Sequence, residues 1–236
     1  MKLLFLSIFA LLVSVTAFSQ AKAIEVIYTK AYKNFRDTSH TAAQPLKSLK
    51  YSLYCNPVAS RFERISTVLS RSDEFIQFIY PGSGKGIYYK NTKDKKKLHQ
   101  TRFMDSTFLI EENYNQYKWK LKNEKKEILG YECHKAVGSY EEYSYITKEA
   151  KTIRVAVWYA PGIPFAFGPV GYDGLPGLVL ASYRGNFYFI ATDIRFSDKE
   201  KKITLPDKGK SVTRKEFNNA IYEIYKKHTI RKKPQH

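Results

Sequence analysis

The sequence predicts a mainly β fold: a single domain built on a curved antiparallel sheet or half-barrel, with a C-terminal amphipathic helix. Three observations predict it. Short β-rich runs recur at intervals of ~8–15 residues, the rhythm of an antiparallel meander. The 236 residues include 19 Tyr and 15 Phe, types that pack well on a pleated surface. Only near the C-terminus does the apolar spacing change from strand-like to helical.

The elements follow in order. Lys2, the apolar run Leu3 to Val15 and the small residues of Ala17-Phe18-Ser19 have the pattern of a secretory signal cleaved after Ser19. The apolar run is shorter than the ~18–20 residues that span a bilayer. Residues 1–19 are therefore expected to be an export signal, and residues 20–236 one β-rich domain, periplasmic or secreted. Cys55 and Cys133 are the only cysteines, so no lipoprotein anchor is expected at the cut.

Strand-like runs are Ala23 to Ala31, Leu49 to Cys55, Arg61 to Leu69 and Phe75 to Tyr80, with a polar connection from Asp37 to Pro45 and a turn at Asn56-Pro57. Pro81 to Gly86 reads as a hairpin loop, lacking the spacing and the Lys-Ser/Thr ending of a phosphate-binding loop. Gly86 to Lys90, Leu98 to Phe103, Phe108 to Glu112, Lys118 to Leu121, Lys125 to Leu129, Cys133 to Tyr140 and Ala150 to Tyr159 continue the series. Leu178 to Tyr183 and Phe187 to Ile190 follow, separated by a tight turn at Gly185-Asn186. Thr213 and Glu216 form a capping-box candidate. Phe217, Ala220, Ile221, Ile224 and Tyr225 then repeat at helical spacing over about four turns, expected to pack on the sheet.

Between Tyr159 and Leu178 the chain alternates Pro161, Pro164, Pro169 and Pro176 with Gly162, Gly168, Gly171, Gly174 and Gly177. No regular helix or central strand survives that density. The same segment carries Ile163, Phe165, Phe167, Tyr172 and Leu175, too many apolar groups for a solvated linker. It is expected to be an ordered loop folded back onto the sheet.

Within it, Gly174-Leu175-Pro176-Gly177-Leu178-Val179 resembles the signature hexapeptide of the GLPGLI family, exported proteins of unknown function from Gram-negative bacteria. Gly130-Tyr131-Glu132-Cys133-His134-Lys135-Ala136 resembles that family's G-Y-x-C-x-x-A segment, and Trp158-Tyr159-Ala160-Pro161 with Ile163-Pro164 its W-Y-x-P-x-I-P segment. Val179 replaces the final isoleucine, and Gly162 stands where a carboxylate is expected. The resemblance implies class and compartment and no mechanism.

The residue types that carry chemistry do not form a motif. His40, His99, His134, His228 and His236 are scattered, with no zinc-binding spacing. Cys133 and His134 point to opposite faces of a strand. The two cysteines permit one disulfide in an oxidising compartment, or two buried thiols. Glu111-Glu112 and Glu141-Glu142 read as solvated doublets, and Asp173 as a turn residue before Gly174. No catalytic residue, metal site or cofactor is predicted.

The formal charge is +18, or +17 once Lys2 is lost with the signal. Basic clusters lie at Lys93, Lys95, Lys96 and Lys97 and at Lys118, Lys120, Lys122, Lys125 and Lys126. In an exported protein nucleic acid is not an expected partner. Anionic lipid headgroups or an acidic protein surface are available, and simple solubility is the plain alternative. The expected function is non-enzymatic binding of an apolar ligand or peptide in a β cleft, with Trp158, Phe165, Phe167, Tyr172 and Leu175 as contacts. Core packing explains those five equally well. The alternatives are an accessory subunit of an outer-membrane transport or secretion system, and a hydrolase whose site would involve Asp173 or Glu142. Oligomeric state stays open.

Overall fold

Alternation of side chains along extended segments decides which face of each strand is buried, and here it decides almost the whole architecture. The computed structural model describes residues 21–32, 44–65, 86–103, 105–144, 149–185, 187–200 and 202–231. Residues 1–19, expected to be an export signal, residues 37–43 of the polar connection, residues 66–69, the Phe75 to Tyr80 run, the body of the Pro81 to Gly86 loop and Asn186 lie outside the described residues. The strands are β1 (Ala23–Tyr32), β2 (Gln44–Cys55), β3 (Ala59–Arg64), β4 (Ile87–Asn91), β5 (Lys96–Phe103), β6 (Ser106–Glu111), β7 (Lys118–Ile128), β8 (Tyr131–Ser144), β9 (Glu149–Ala160), β10 (Leu178–Arg184), β11 (Phe187–Ser197) and β12 (Lys210–Thr213), followed by helix α1 (Arg214–Arg231).

The fold is mainly β, as the sequence predicts. All twelve strands join one open sheet in the order β12-β6-β5-β4-β3-β2-β1-β11-β10-β9-β8-β7. Neighbours are antiparallel except β12, which runs parallel to β6. The sheet curls without closing, and its two edges are β7 and β12.

Its inward face is filled from two sources. Ile24, Val26 and Tyr28 of β1, Leu49, Tyr51 and Leu53 of β2, and Phe62 of β3 alternate inward and are buried. Tyr51 stacks on Phe62 at 5.3 Å, and Phe189 meets both rings edge-on. The proline–glycine loop supplies the second source: Ile163, Phe165 and Phe167 join this cluster. Tyr172, Leu175 and Val179 join another with Ala136, Val155, Val157 and Tyr159. Each buried side chain of this size contributes about 1.5–3 kcal/mol. The loop therefore acts as the second layer that a single sheet lacks. Backbone bonds from Leu178 N to Ile163 O (3.1 Å) and from Val179 N to Phe167 O (3.0 Å) tie it down.

Several boundaries differ from the sequence reading. Lys118 to Leu121 and Lys125 to Leu129 form one strand, β7, with a register shift between Leu121 and Lys125. Leu121 is exposed there, because the edge strand is covered on neither face at that point. β11 continues beyond Ile190 to Ser197 along β1. The four-residue β12 was not anticipated, since Lys210-Ser211-Val212-Thr213 is too short for a periodicity. The helix has 18 residues, about five turns. Its capping box is present, with Glu216 N–H donating to Thr213 Oγ1 at 3.2 Å and Thr213 N–H to Glu216 Oε2 at 2.7 Å. Phe217 packs edge-on against Phe108 at 5.1 Å, so α1 seats on the β6–β12 end of the sheet.

Candidate functional site

Strand β5 inverts the usual rule. Lys97, His99 and Thr101 are buried, while Leu98 and Gln100 between them are less so. The β4–β5 register sets Tyr88 opposite His99 and Lys90 opposite Lys97. Tyr88 and His99 stack at 4.0 Å. Two lysines directly opposite each other repel, and both side chains are under 10% exposed. Asp173 lies between them: Lys90 Nζ is 2.9 Å from Oδ1 and Lys97 Nζ is 2.8 Å from Oδ2. Each ammonium also rests over an aromatic ring, Lys90 over Tyr114 at 4.0 Å and Lys97 over Tyr117 at 4.5 Å. Burial lowers the Lys97 pKa from its ordinary 10.5, a shift that the Asp173 carboxylate opposes.

The loop is shaped to deliver that carboxylate. Val170 (φ 49°) and Gly171 (φ 77°) are successive left-handed residues just before it. A β-branched residue held there costs about 1–2 kcal/mol. Trp119 Nε1–H donates to the Asp173 backbone carbonyl at 2.8 Å, and Gly138, opposite Trp119 on β8, leaves room for the indole.

Tyr88, Lys90, Lys97, His99, Tyr117 and Asp173 line a cavity of about 1320 Å³. Strands β3 to β5 contribute to one side and β8 to β11 to the other, so the sheet face is concave around it. Glu112 of one glutamate doublet and both members of the other, Glu141 and Glu142, lie along the cavity wall. Glu112 is only 10% exposed, against its reading as solvated, while Glu141 is exposed and Glu142 half-exposed. Glu112 is held by Arg214, the first residue of α1, through Arg214 Nε–H at 3.1 Å and a second, shorter contact from Nη2. Glu142 pairs with Arg184, which in turn lies 5.7 Å over the Tyr140 ring. Asp173, Glu112 and Glu142 thus reach the cavity from separate segments, each matched to a cation, while Glu141 accepts from the Thr152 hydroxyl. Burial pushes the Tyr172 hydroxyl up to about 12 and moves Tyr88, Tyr117 and Tyr140 upward as well, so the aromatic wall stays uncharged at neutral pH. Among the described residues, no group of three His, Cys, Asp or Glu side chains is arranged to hold a metal.

Of the five contact candidates, Phe167 and Tyr172 line the cavity. Phe165 and Leu175 are buried in the two clusters instead. Trp158 is half-buried on β9 between the buried Val157 and Tyr159 and points away from them. It lies under Lys126, at 4.4 Å, and Lys135, at 5.9 Å. Cys55 and Cys133 are buried as free thiols, the second of the two alternatives. They sit on β2 and β8, which are not neighbours in the sheet. Burial pushes the Cys133 thiol up to about 11 and that of Cys55 further.

The hexapeptide is explained by packing. Leu175, Leu178 and Val179 are buried. Gly174 has φ 81°, and a Cβ at Gly177 (φ 153°) would lie 2.2 Å from the Ala160 carbonyl oxygen. Residues 139–181 match the family described as "Protein of unknown function (Porph_ging)". This is the GLPGLI-type family. The matched stretch runs from β8 to β10 and contains the Trp158 segment, the loop and the hexapeptide; the Gly130 segment lies outside it.

No curated protein matches the chain. Two solved structures of PNGF-II, in space groups P21 and C2, share its fold with TM-scores of 0.54 and 0.51, each at 15% identity. Each alignment takes in 86% of this chain but only 34% and 33% of the PNGF-II chains. The chain thus spans about a third of the structures it matches, and at that identity the likeness concerns the fold alone.

The lysine pair, His99, Arg184 and Arg214 escaped the sequence reading. One signal was present: in Lys97-x-His99-x-Thr101 three polar residues share a strand face. Only the register to β4 and the position of Asp173 reveal that this face is the inner one.

Proposed function

We propose that the chain is a GLPGLI-type protein of the cell envelope, exported through residues 1–19, that binds an amphipathic ligand without transforming it. The observation that carries this reading is the large cavity under the proline–glycine loop, walled by Tyr88, Tyr117, Tyr140, Phe167, Tyr172 and Phe189. Ligand sites are concave, largely apolar and furnished with a few fixed polar groups, and this one has all three features. The pairing of Asp173, Glu112 and Glu142 with cations supports binding rather than acid–base work. The experiment is native mass spectrometry of the full chain exported to a bacterial envelope and purified without detergent. A reproducible small-molecule adduct lost in Phe167→Ala supports the reading. A bare chain that also takes up no added amphiphile overturns it.

A second reading rests on β7. This edge strand carries Lys118, Lys120, Lys122, Lys125 and Lys126, and among the described residues one side of its backbone is unpaired. Such an edge fits recruitment to an acidic partner by strand addition, the role of an accessory subunit. Crosslinking in native membranes through a photoreactive residue at position 122 tests it; recovery of uncrosslinked chain alone counts against it.

A further inference from the structure

The ion pairs of the cavity wall do not all balance, and the imbalance lies in one cluster. Arg184 is matched by Glu142 and Arg214 by Glu112, one cation to one carboxylate. Lys90 and Lys97 share the single carboxylate of Asp173. That leaves one excess positive charge in a group whose three side chains are each less than a tenth exposed. Buried charges are normally paired. The two tyrosine faces soften the imbalance but do not cancel it.

Hydrogen bonding is also incomplete there. Lys97 Nζ and Asp173 Oδ2 form a 2.8 Å ion pair with poor hydrogen-bond angles, and neither atom has another hydrogen-bond partner among the described residues. Lys90 Nζ has one further contact, to the Tyr114 carbonyl oxygen at 3.5 Å. An ammonium carries three donors, so the lysine pair holds both charge and donor capacity in reserve. The wall also carries the rings of Tyr88, Tyr117, Tyr140, Phe167, Tyr172 and Phe189. A ligand that completes this site needs an apolar body for the rings and one anionic end for the lysines.

We propose that the Lys90–Asp173–Lys97 cluster is the anion subsite of the cavity, and that the ligand is an amphipathic monoanion whose carboxylate or phosphate end is oriented toward the lysine pair. The assignment rests on the binding reading above and specifies its ligand class. The Val170–Gly171 turn stands over the cluster, with the Lys97 stem 3.6 Å from where a Gly171 Cβ would lie. Asp173 therefore joins the loop to the subsite, and an anion arriving at the lysines competes directly with the loop's own carboxylate.

The test is calorimetric titration of the full chain with decanoate, decanol and decyltrimethylammonium, each kept below micelle formation, at low salt and at about 1 M salt, where the screening length is ~3 Å. Decanoate is expected to bind about tenfold more tightly than the other two, the equivalent of one charge-assisted hydrogen bond. The preference should persist at high salt, because the lysines are shielded from bulk ions. Lys97→Met should bring the three affinities together. Equal affinities in the unsubstituted chain overturn the anion subsite while leaving the binding reading intact. Binding of none of the three overturns both. A decanoate preference that disappears at high salt assigns it to the basic surface and overturns the subsite, as does a preference kept in folded Lys97→Met. If that variant does not fold, the head-group series on the unsubstituted chain still decides.

Discussion

The indole of Trp119 holds the backbone carbonyl of Asp173 by a 2.8 Å hydrogen bond across 54 residues of chain. It connects the edge strand β7 to the loop residue that bridges the two buried lysines. Trp119→Phe keeps most of the ring packing and leaves that carbonyl without its donor. The expected loss of stability is about 1–2 kcal/mol, read as a lower urea midpoint. An unchanged midpoint would show that solvent replaces the indole without cost.

Asp173→Asn should be far more damaging. It leaves Lys90 and Lys97 facing each other without a counter-charge, and breaking a buried ion pair from one side costs about 3–5 kcal/mol. Lys97→Met on top of Asp173→Asn removes the repulsion, so the double variant is expected to be more stable than Asp173→Asn alone. Simple additivity across the double-mutant cycle would mean that the two side chains are not coupled.

The two glycines of the hexapeptide differ in what they require. At Gly174 a Cβ would meet nothing within 4 Å, so Gly174→Ala costs only its left-handed backbone, about 1–2 kcal/mol. At Gly177 the added Cβ would collide with the Ala160 carbonyl group, and overpacking adds about 1–3 kcal/mol. Thermal melting should rank Gly177→Ala clearly below Gly174→Ala. The reverse order would refute the steric account of the signature.

Acid should loosen the start of α1. The Thr213 backbone N–H and hydroxyl both donate to the Glu216 carboxylate, and the backbone bond is the main cause that holds its pKa below the ordinary 4.5. A depressed carboxylate stabilises the fold fully above pH 4.5, and that contribution disappears as the pH falls through the lower folded value. Helical circular dichroism followed from pH 6 downward should show the loss in the unsubstituted chain and a weaker pH response in Glu216→Gln. Identical profiles would remove the capping box from the stability of the helix.

Much of the fold was legible because it depends on local repeats. Alternation from Ala23 onward marks β1, the Asn56-Pro57 turn separates β2 from β3, and Thr213 with Glu216 announces the helix. The loop was legible as an ordered layer from Ile163, Phe165 and Phe167, apolar residues at alternate positions among prolines. The cavity was not. Asp173 looks like a turn residue because its neighbours are turn-formers, and its partners Lys90 and Lys97 are distant in sequence. Lys97 ends a run of lysines whose other members are exposed, so composition assigned all of them to solvent. The Glu111-Glu112 doublet reads as surface for the same reason: alternation shows that its members part, not that Glu112 turns inward. β12 depends on pairing with β6 rather than on its own residues.

The place of β1 in the sheet has a consequence for how the molecule is made. Its partners on either side are β2, which follows it directly, and β11, which is among the last strands in the chain. A polypeptide that leaves a ribosome or a translocation channel N-terminus first can form the β1–β2 hairpin early. The other margin of β1 then waits, its N–H and C=O groups unpaired, for nearly the whole length of synthesis. Sheets joined by such distant segments assemble slowly, and a waiting strand margin is an invitation to wrong partners. Cover for that margin until β11 is made is therefore a demand of the topology itself, and a chain cut short before residue 187 would keep the margin open.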